Sequence, residues 1–531
     1  MYKSKYQIKQ WLLVGCLLLI SCIRIMEKVN FHKDEIVNYG IANNYNSFVM
    51  TVNEGKKYVP SSQPFLNFVT VSEYNRFNYQ NVYRNTANDV HPPLYFDLLH
   101  TICSLFPGTF SKWYAGFVNI VFIIGTFILI QKLLNILPFT NEHKSTKYII
   151  SIIFIFSKGI SNSTVFLRMY VMAMFLCTGL TYILIKDILS EKEININIYI
   201  SLFFITLFGA LTHYYCIIFA VASCFIYGLI LLKNKSFKKF LLLILTGIMS
   251  GISAYVLFPE MVQHMFTGYR GIESIENLNS SLQQSIIRYQ QYDEIINIEL
   301  FGGLSLYILA ISICIIIFLC IKNNNKKGFI YDKKTAYFID SYLIIFLPVI
   351  IYFIFVSKSS VFIVDRYMFP IYALLLTGVF SIYFTLINRL FSNHNNLAFY
   401  IQIITSIVVI FFNFSNPKYK EYLYKSTIPI LENAKNHSDY DSLFIYDNSK
   451  IWNCYPSLLE STNYKSLTFV SNSNIDILPS LDIAQNNTLQ VFVPNNETNV
   501  IEIIIETYPQ FTIVDKNGSY TDYTSYFLSS D

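Results

Sequence analysis

The sequence predicts an all-α polytopic membrane protein of about eleven transmembrane helices, followed by a small soluble α/β domain. Three observations predict it. The 531 residues are 53% hydrophobic and only 14% charged, with a mean hydropathy of +0.41, whereas soluble domains carry about 25% charged residues. Apolar runs long enough to cross a bilayer recur from the N-terminus to residue 414. Past that point the chain turns polar and holds no further run.

A spanning helix needs roughly 20 mostly apolar residues. Such segments lie near 11–29, 113–134, 147–161, 167–188, 196–212, 215–232, 239–258, 299–321, 339–356, 362–388 and 398–414. They define a transmembrane module over 1–414, with a first outer loop at 31–112. In residues 415–531, the β-rich runs Ser442–Tyr446, Ser466–Val470 and Leu489–Val493 alternate with helix-compatible stretches, the pattern of an α/β domain.

Orientation follows from the excess of basic residues in cytoplasmic loops. With Lys3, Lys5 and Lys9 inside, later inner loops hold Lys132, Lys144 and Lys147, then Lys186 and Lys192. Lys233, Lys235, Lys238 and Lys239 follow, then Lys322, Lys326, Lys327, Lys333 and Lys334. The short outer loops hold little beyond Lys158, Arg168, Lys358 and Arg366. This places 31–112 and 415–531 outside the cytoplasm. Counting the apolar run Leu94–Phe106 as a span would invert every later loop, so it is expected to lie along the membrane. Leu94, Leu98, Ile102 and Leu105 form one face and Asp97, His100 and Ser104 another, as an interfacial helix requires. Richness in Ile, Asn and Lys suggests an AT-rich, bacterial genome, hence a bacterial plasma membrane.

Leu19-Ile20-Ser21-Cys22 matches a lipoprotein-type cleavage box that would place lipid on Cys22. The apolar run continues past it through Ile23, Ile25 and Met26, which favours an intact first span. Cys16, Cys22, Cys103, Cys177, Cys216, Cys224, Cys314 and Cys320 sit in apolar stretches, and Cys454 alone in a polar one. No disulfide framework or zinc spacing is readable. A net charge of +5 concentrated in inner loops is a topology signal and does not point to nucleic acid.

Two clusters in the first outer loop can carry chemistry. Phe31-His32-Lys33-Asp34-Glu35 sits where the first span ends, and Asn88-Asp89-Val90-His91-Pro92-Pro93-Leu94-Tyr95 precedes the interfacial helix. Adjacent carboxylates at a membrane surface are costly to desolvate and useful where a reaction needs a base. An arbitrary Asp-Glu pair is more often a solvated loop start, and Pro-Pro is ordinarily a rigid turn opening a helix. Further polar groups mark the outer ends of later spans: Leu167-Arg168-Met169-Tyr170, Thr212-His213-Tyr214-Tyr215, and Asp365-Arg366-Tyr367 followed by Pro370. Singly, Arg168 or Arg366 reads as an interfacial anchor. Together, at one level of the membrane, they are binding candidates.

Asp-Glu after the first span, followed by a His-Pro-Pro-Leu element in the same loop, resembles the GT-C membrane glycosyltransferases. The likeness is to the protein O-mannosyltransferase branch and its bacterial relatives, such as the lipid A aminoarabinose transferases. It covers about residues 1–390 and leaves the C-terminal domain outside. The resemblance implies a GT-C-like fold, a polyprenyl-phosphate sugar donor, a glycan, lipid or protein acceptor, and inverting transfer at the non-cytoplasmic face. It implies that Asp34 is the catalytic base, with Glu35 beside it. It places Asp89, His91, Arg168, Tyr170, His213, Arg366 and Tyr367 at the substrate. The second acidic metal-binding motif of some GT-C enzymes is not evident near Arg168, and a divalent metal ion, with His91 and His213 as candidate ligands, stays an open expectation.

Transfer from a lipid phosphate independently demands these groups: a carboxylate to take the acceptor's proton, and cationic forks for the departing phosphate. The rival readings are a polysaccharide polymerase or ligase, a lipid-linked-sugar transporter or flippase, and a non-catalytic scaffold. Transporters place ionisable residues near mid-membrane in repeated, broken helices. No clear repeat is present, and these charges gather at one face.

Overall fold

The computed structural model describes residues 2–60, 63–190, 194–323, 333–416, 421–483, 487–497 and 499–530. Lys192, Lys326 and Lys327 of the expected inner loops lie outside the described residues. The protein is a polytopic helical membrane protein: among the described residues, eight helices are long and apolar enough to cross a membrane, or up to ten if two bent pairs each count once, and a mixed β-sheet follows in the C-terminal region.

Every apolar segment read from the sequence falls on a helix, and the difference from the expected number lies in how some of them break. Residues 147–161 belong to Lys144–Ile155 and Lys158–Val165, bent by 50°. Segment 299–321 covers the end of Leu282–Phe301 and most of Ser305–Asn323, a pair bent by 79°. At this second bend Gly302 and Gly303 have φ of +62° and +86°. A Cβ on Gly302 would sit 2.7 Å from the Asn413 amide nitrogen, so the bend requires glycine on both conformational and steric grounds. Ile196–Thr212 is a shorter apolar helix of 17 residues.

The chain packs as two compact units. One comprises Met1–Ile23, Val90–Tyr95 and Gly116–Lys420, the other Arg24–Asp89, Phe96–Ala115 and Glu421–Asp531. In the first, Tyr170–Ile188 packs on Phe369–Leu390, and Tyr214–Lys233 on Lys333–Ser359. Two lysines of the expected inner loops are tied down by carboxylates, Lys239 by Asp187 at 3.1 Å and Lys233 by Asp340 at 2.9 Å.

The second unit is built on a six-stranded sheet of order β1-β3-β2-β4-β6-β5. The strands are β1 (Lys57–Tyr58), β2 (Asp441–Tyr446), β3 (Ser466–Ser471), β4 (Thr488–Pro494), β5 (Phe511–Ser519) and β6 (Tyr523–Ser530). The three β-rich runs of the sequence are β2, β3 and β4, which pair in parallel. Strands β2 and β3 are buried at every residue, as parallel strands covered on both faces must be. Leu443, Ile445, Val470, Leu489, Val491 and Leu528 form the core on one side. The sheet does not come from the C-terminal region alone. Strand β1, from the segment expected to be the first outer loop, pairs antiparallel with β3 through Lys57 with Thr468 and Tyr58 with Leu467.

The segment expected to lie along the membrane forms the helix Leu94–Leu105. Its polar face turns into the protein: His100 is 1% exposed and Ser104 fully buried. The Ser104 hydroxyl accepts from the Phe77 amide, and its carbonyl accepts from Arg76 Nε. Burial pushes the Asp97 carboxyl up to about 7. Leu105 and Phe106 remain exposed at the helix end.

Candidate functional site

In the helical unit, His91, Arg168, Tyr170, His213, Arg366 and Tyr367 gather around one aromatic cluster. Each is delivered by a break in the helices. Arg168 lies between Lys158–Val165 and Tyr170–Ile188, and His213 between Ile196–Thr212 and Tyr214–Lys233. Arg366 and Tyr367 belong to a 3-10 turn, Asp365–Tyr367, that precedes the Pro-started helix Phe369–Leu390. The Asp365 carboxylate holds that turn by accepting from the Arg366 amide at 2.7 Å.

Arg168 Nη2 lies 3.0 Å from His91 Nε2. A guanidinium only donates, so this nitrogen of His91 accepts and the ring is neutral. His213 faces His91, with ring centroids 6.4 Å apart, and Tyr170 at 5.2 Å. Its Nδ1 accepts the Tyr215 amide at 3.1 Å as a helix cap. Burial holds the His213 imidazole well below its ordinary range, reinforced by His91 and Arg168, so it too stays neutral. Tyr170 meets Tyr367 at 6.3 Å and Phe166 at 6.0 Å. The Arg366 guanidinium lies 5.5 Å over Phe166 and 5.6 Å over Tyr367, a distance at which cation–π attraction operates. Arg168 and Arg366 are 4% and 8% exposed. Two nearly buried guanidinium ions and neutral imidazoles are thus set among aromatic rings, and guanidinium forks are the donors that an anionic group would call for.

Asp34, Glu35 and Asp89 belong to the other unit. Asp34 and Glu35 open the helix Lys33–Asn43, capped by His32, whose Nδ1 accepts the Asp34 amide. Their side chains part company. Asp34 is 25% exposed and lies 3.7 Å from His32 Nδ1. Glu35 is fully buried, 2.9 Å from the equally buried Lys28 ammonium, and its Oε2 accepts the His32 amide at 2.6 Å. Lys28 also donates to the Tyr422 carbonyl at 2.6 Å. Burial pushes its ammonium down, opposed by Glu35. Of the two carboxylates, Asp34 is the more exposed. Asp89 caps the helix Tyr79–Asn88, its amide bonded to the Asn85 and Thr86 carbonyls. Among the described residues no three His, Cys, Asp or Glu side chains converge to hold a metal ion.

Two residues that sequence reasoning missed position this site. Arg288 Nε donates to the Ser357 carbonyl at 2.8 Å, and Nη2 to Ser360 Oγ at 2.8 Å. The Tyr292 hydroxyl bonds Ser360 Oγ at 2.7 Å and donates to the Phe362 carbonyl at 2.8 Å. Both pin the strand of chain that leads into Asp365–Tyr367. The available signal was Ser281-Leu282-Gln283-Gln284, a capping box that the structure forms at the start of Leu282–Phe301.

No family model matches the sequence, and no curated protein matches it. Solved structures do resemble this one. ArnT from Cupriavidus metallidurans bound to undecaprenyl phosphate superposes with a TM-score of 0.52 at 8% identity, covering 97% of each chain. The apo state of the same protein gives 0.52 and 8%, covering 100% of this chain and 99% of that one. Over nearly its whole length, this chain has the fold of ArnT.

Proposed function

We propose that the protein is an inverting membrane glycosyltransferase that moves a sugar from a polyprenyl-phosphate donor to an acceptor hydroxyl on the non-cytoplasmic face. The observation that carries this reading is the Arg168–Arg366 cluster with His91, His213, Tyr170 and Tyr367, in a chain whose fold is that of a protein solved with undecaprenyl phosphate. Arg168 and Arg366 bind the donor phosphate. Arginine's rigid fork and near-complete burial make each such bond stronger than a surface contact. Asp34 takes the proton from the acceptor hydroxyl as its oxygen attacks the anomeric carbon. The bond from that carbon to the phosphate oxygen breaks on the opposite side, and the polyprenyl phosphate leaves with the bonding pair, its growing charge met by the guanidinium ions. Glu35 acts through its neighbour as a positioning residue. Asp89 binds substrate. No step is assigned to a metal.

The test is transfer by purified protein from lipid-linked sugars, comparing wild type with Asp34→Asn. Asparagine keeps size and hydrogen bonding but cannot take the proton. Turnover should fall by at least about 100-fold, the low end of general-base catalysis, with donor affinity little changed. A folded Asp34→Asn protein with near wild-type transfer would remove Asp34 from the mechanism.

A further inference from the structure

We propose that a polar crevice at the carboxyl ends of β2 and β4 is a binding subsite for a neutral, hydroxyl-rich ligand, a sugar unit of the acceptor; its identification as acceptor rests on the glycosyltransferase reading. The crevice has a volume of about 400 Å³ and is lined by Asp447, Lys450, Asn453, Asn495, Asn496 and Asp522, with Tyr523 also in its wall. That volume lies within the roughly 300–1,000 Å³ of small-molecule sites.

Its place in the sheet is the one where such sheets bind ligands. The chain runs from β2 to β3 on one side, then crosses back to β4 on the other side of β2. The connections leaving β2 and β4 therefore diverge, and a cleft opens beyond their carboxyl ends. Open α/β sheets hold their ligands at such a switch point. Asp447 directly follows β2, and Asn495 and Asn496 directly follow β4. Thr521 and Asp522 close the crevice from the turn between β5 and β6.

The lining chooses the ligand class. Amides and carboxylates predominate, which match vicinal hydroxyls because amides both donate and accept and carboxylates accept. The charges largely cancel: Lys33 Nζ pairs with Asp522 at 3.4 Å. The turn after β2, Asp447-Asn448-Ser449-Lys450, has no glycine, which argues against a dinucleotide cradle. Much of the wall is already fixed. Asp447 Oδ1 accepts from the Ser449 amide at 2.8 Å, and Asn495 donates to the Tyr520 and Thr521 carbonyls at 3.1 Å while accepting from Thr524 at 2.7 Å. Lys33 also donates to Asn453 Oδ1 at 3.0 Å. The residue after Lys33 is Asp34, so the crevice wall is tied to the segment that carries the proposed base. A sugar anchored there would belong to the molecule that Asp34 deprotonates.

The experiment is saturation-transfer NMR on the full-length detergent-solubilised protein with a panel of methyl glycosides (gluco, galacto, manno and N-acetylglucosamine), alongside transfer kinetics. The variants are Asn496→Trp, which fills the crevice, and Asn496→Ala, which removes only an exposed amide and keeps the test alive if the larger side chain disturbs folding. At least one glycoside should bind wild type and Asp34→Asn alike. Asn496→Trp should bind it at least about tenfold more weakly, and Asn496→Ala severalfold more weakly, with acceptor KM raised in parallel while donor KM and kcat hold. No binding by wild type at tens of millimolar, or equal binding by both variants, overturns the proposal. Glycoside binding that depends on Asn496 in a wild-type protein without transfer activity would keep the crevice and sink the enzymatic reading. Transfer with an unaltered acceptor KM in both variants would do the reverse.

Discussion

Glu35 and Lys28 form an ion pair of 2.9 Å with both side chains fully buried, so the carboxylate beside the proposed base is committed to the fold. Glu35→Gln keeps an oxygen for the His32 amide but removes the charge that Lys28 needs. Breaking one partner of a buried pair typically costs about 3–5 kcal/mol. The melting temperature should therefore drop by several degrees. Replacing both partners, as in Lys28→Met with Glu35→Gln, should recover most of the loss, because no buried charge is left uncompensated. An unchanged melting temperature in Glu35→Gln would show that the pair is dispensable. Where the protein remains folded, the loss of turnover should be milder than in Asp34→Asn.

Arg168 and Arg366 should be sensitive to shape as well as charge. Arg→Lys preserves the positive charge but loses the planar fork. Hydrogen bonds to charged groups are worth about 1.5–3 kcal/mol, so each Lys variant should lose roughly 10- to 100-fold in kcat/KM for the donor. Donor titration and initial rates in both variants provide the check. Wild-type donor affinity and turnover in Arg168→Ala and Arg366→Ala would end the phosphate assignment.

The sequence made the spans, the three parallel strands and the break residues of the cationic cluster legible, because each depends on local apolar pattern or on a polar group interrupting one. Long-range partners were not legible. Nothing local marks Lys57–Tyr58 as a strand; two residues gain a ladder only because β3 presents an edge. The Asp-Glu doublet gave no sign that Glu35 turns inward, since Lys28 precedes it outside the helix. His100 and Ser104 read as a solvated face, yet they are buried, because the loop segment around Arg76 and Phe77 folds over that side. Arg288 and Tyr292 were hidden in a stretch too polar to count as a span, and their purpose appears only with the Ser357–Phe362 chain they hold.

Orientation is testable by cysteine labelling with a membrane-impermeant reagent. Tyr74 in the first outer loop, Ser480 in the C-terminal region and Lys235 between two spans are all exposed. Single cysteines at Tyr74 and Ser480 should react from the non-cytoplasmic side, and one at Lys235 only after permeabilisation. The lysine distribution motivates this expectation. Reaction of the Lys235 site from the same side as the others would refute the topology.

Glu460 should make the stability of the sheet unit fall as pH rises. It is fully buried on the helix Tyr455–Ser461. Donors surround it: the Tyr464 and Tyr520 hydroxyls at 2.9 Å each, Asn517 at 2.6 Å, Ser525 at 3.2 Å and Gln490 at 3.3 Å. Burial pushes its carboxyl from the ordinary 4.5 up to about 7, and the donors only partly oppose this. The folded state thus binds the proton more tightly than the unfolded state. The resulting stability is fully present below about pH 4.5 and is lost as pH rises through about 7. At about 1.4 kcal/mol for each tenfold in proton affinity, the whole window is worth roughly 3 kcal/mol. Glu460→Gln mimics the protonated form and keeps an oxygen for the donors, so it should flatten the slope and leave the variant the more stable protein at about pH 8. Amide hydrogen exchange in β2 and β4, followed from about pH 5 to pH 8 and corrected for intrinsic rates, reads the effect directly. Equal slopes in wild type and Glu460→Gln would mean that the donor network keeps Glu460 ionised throughout, and that burial does not govern its charge.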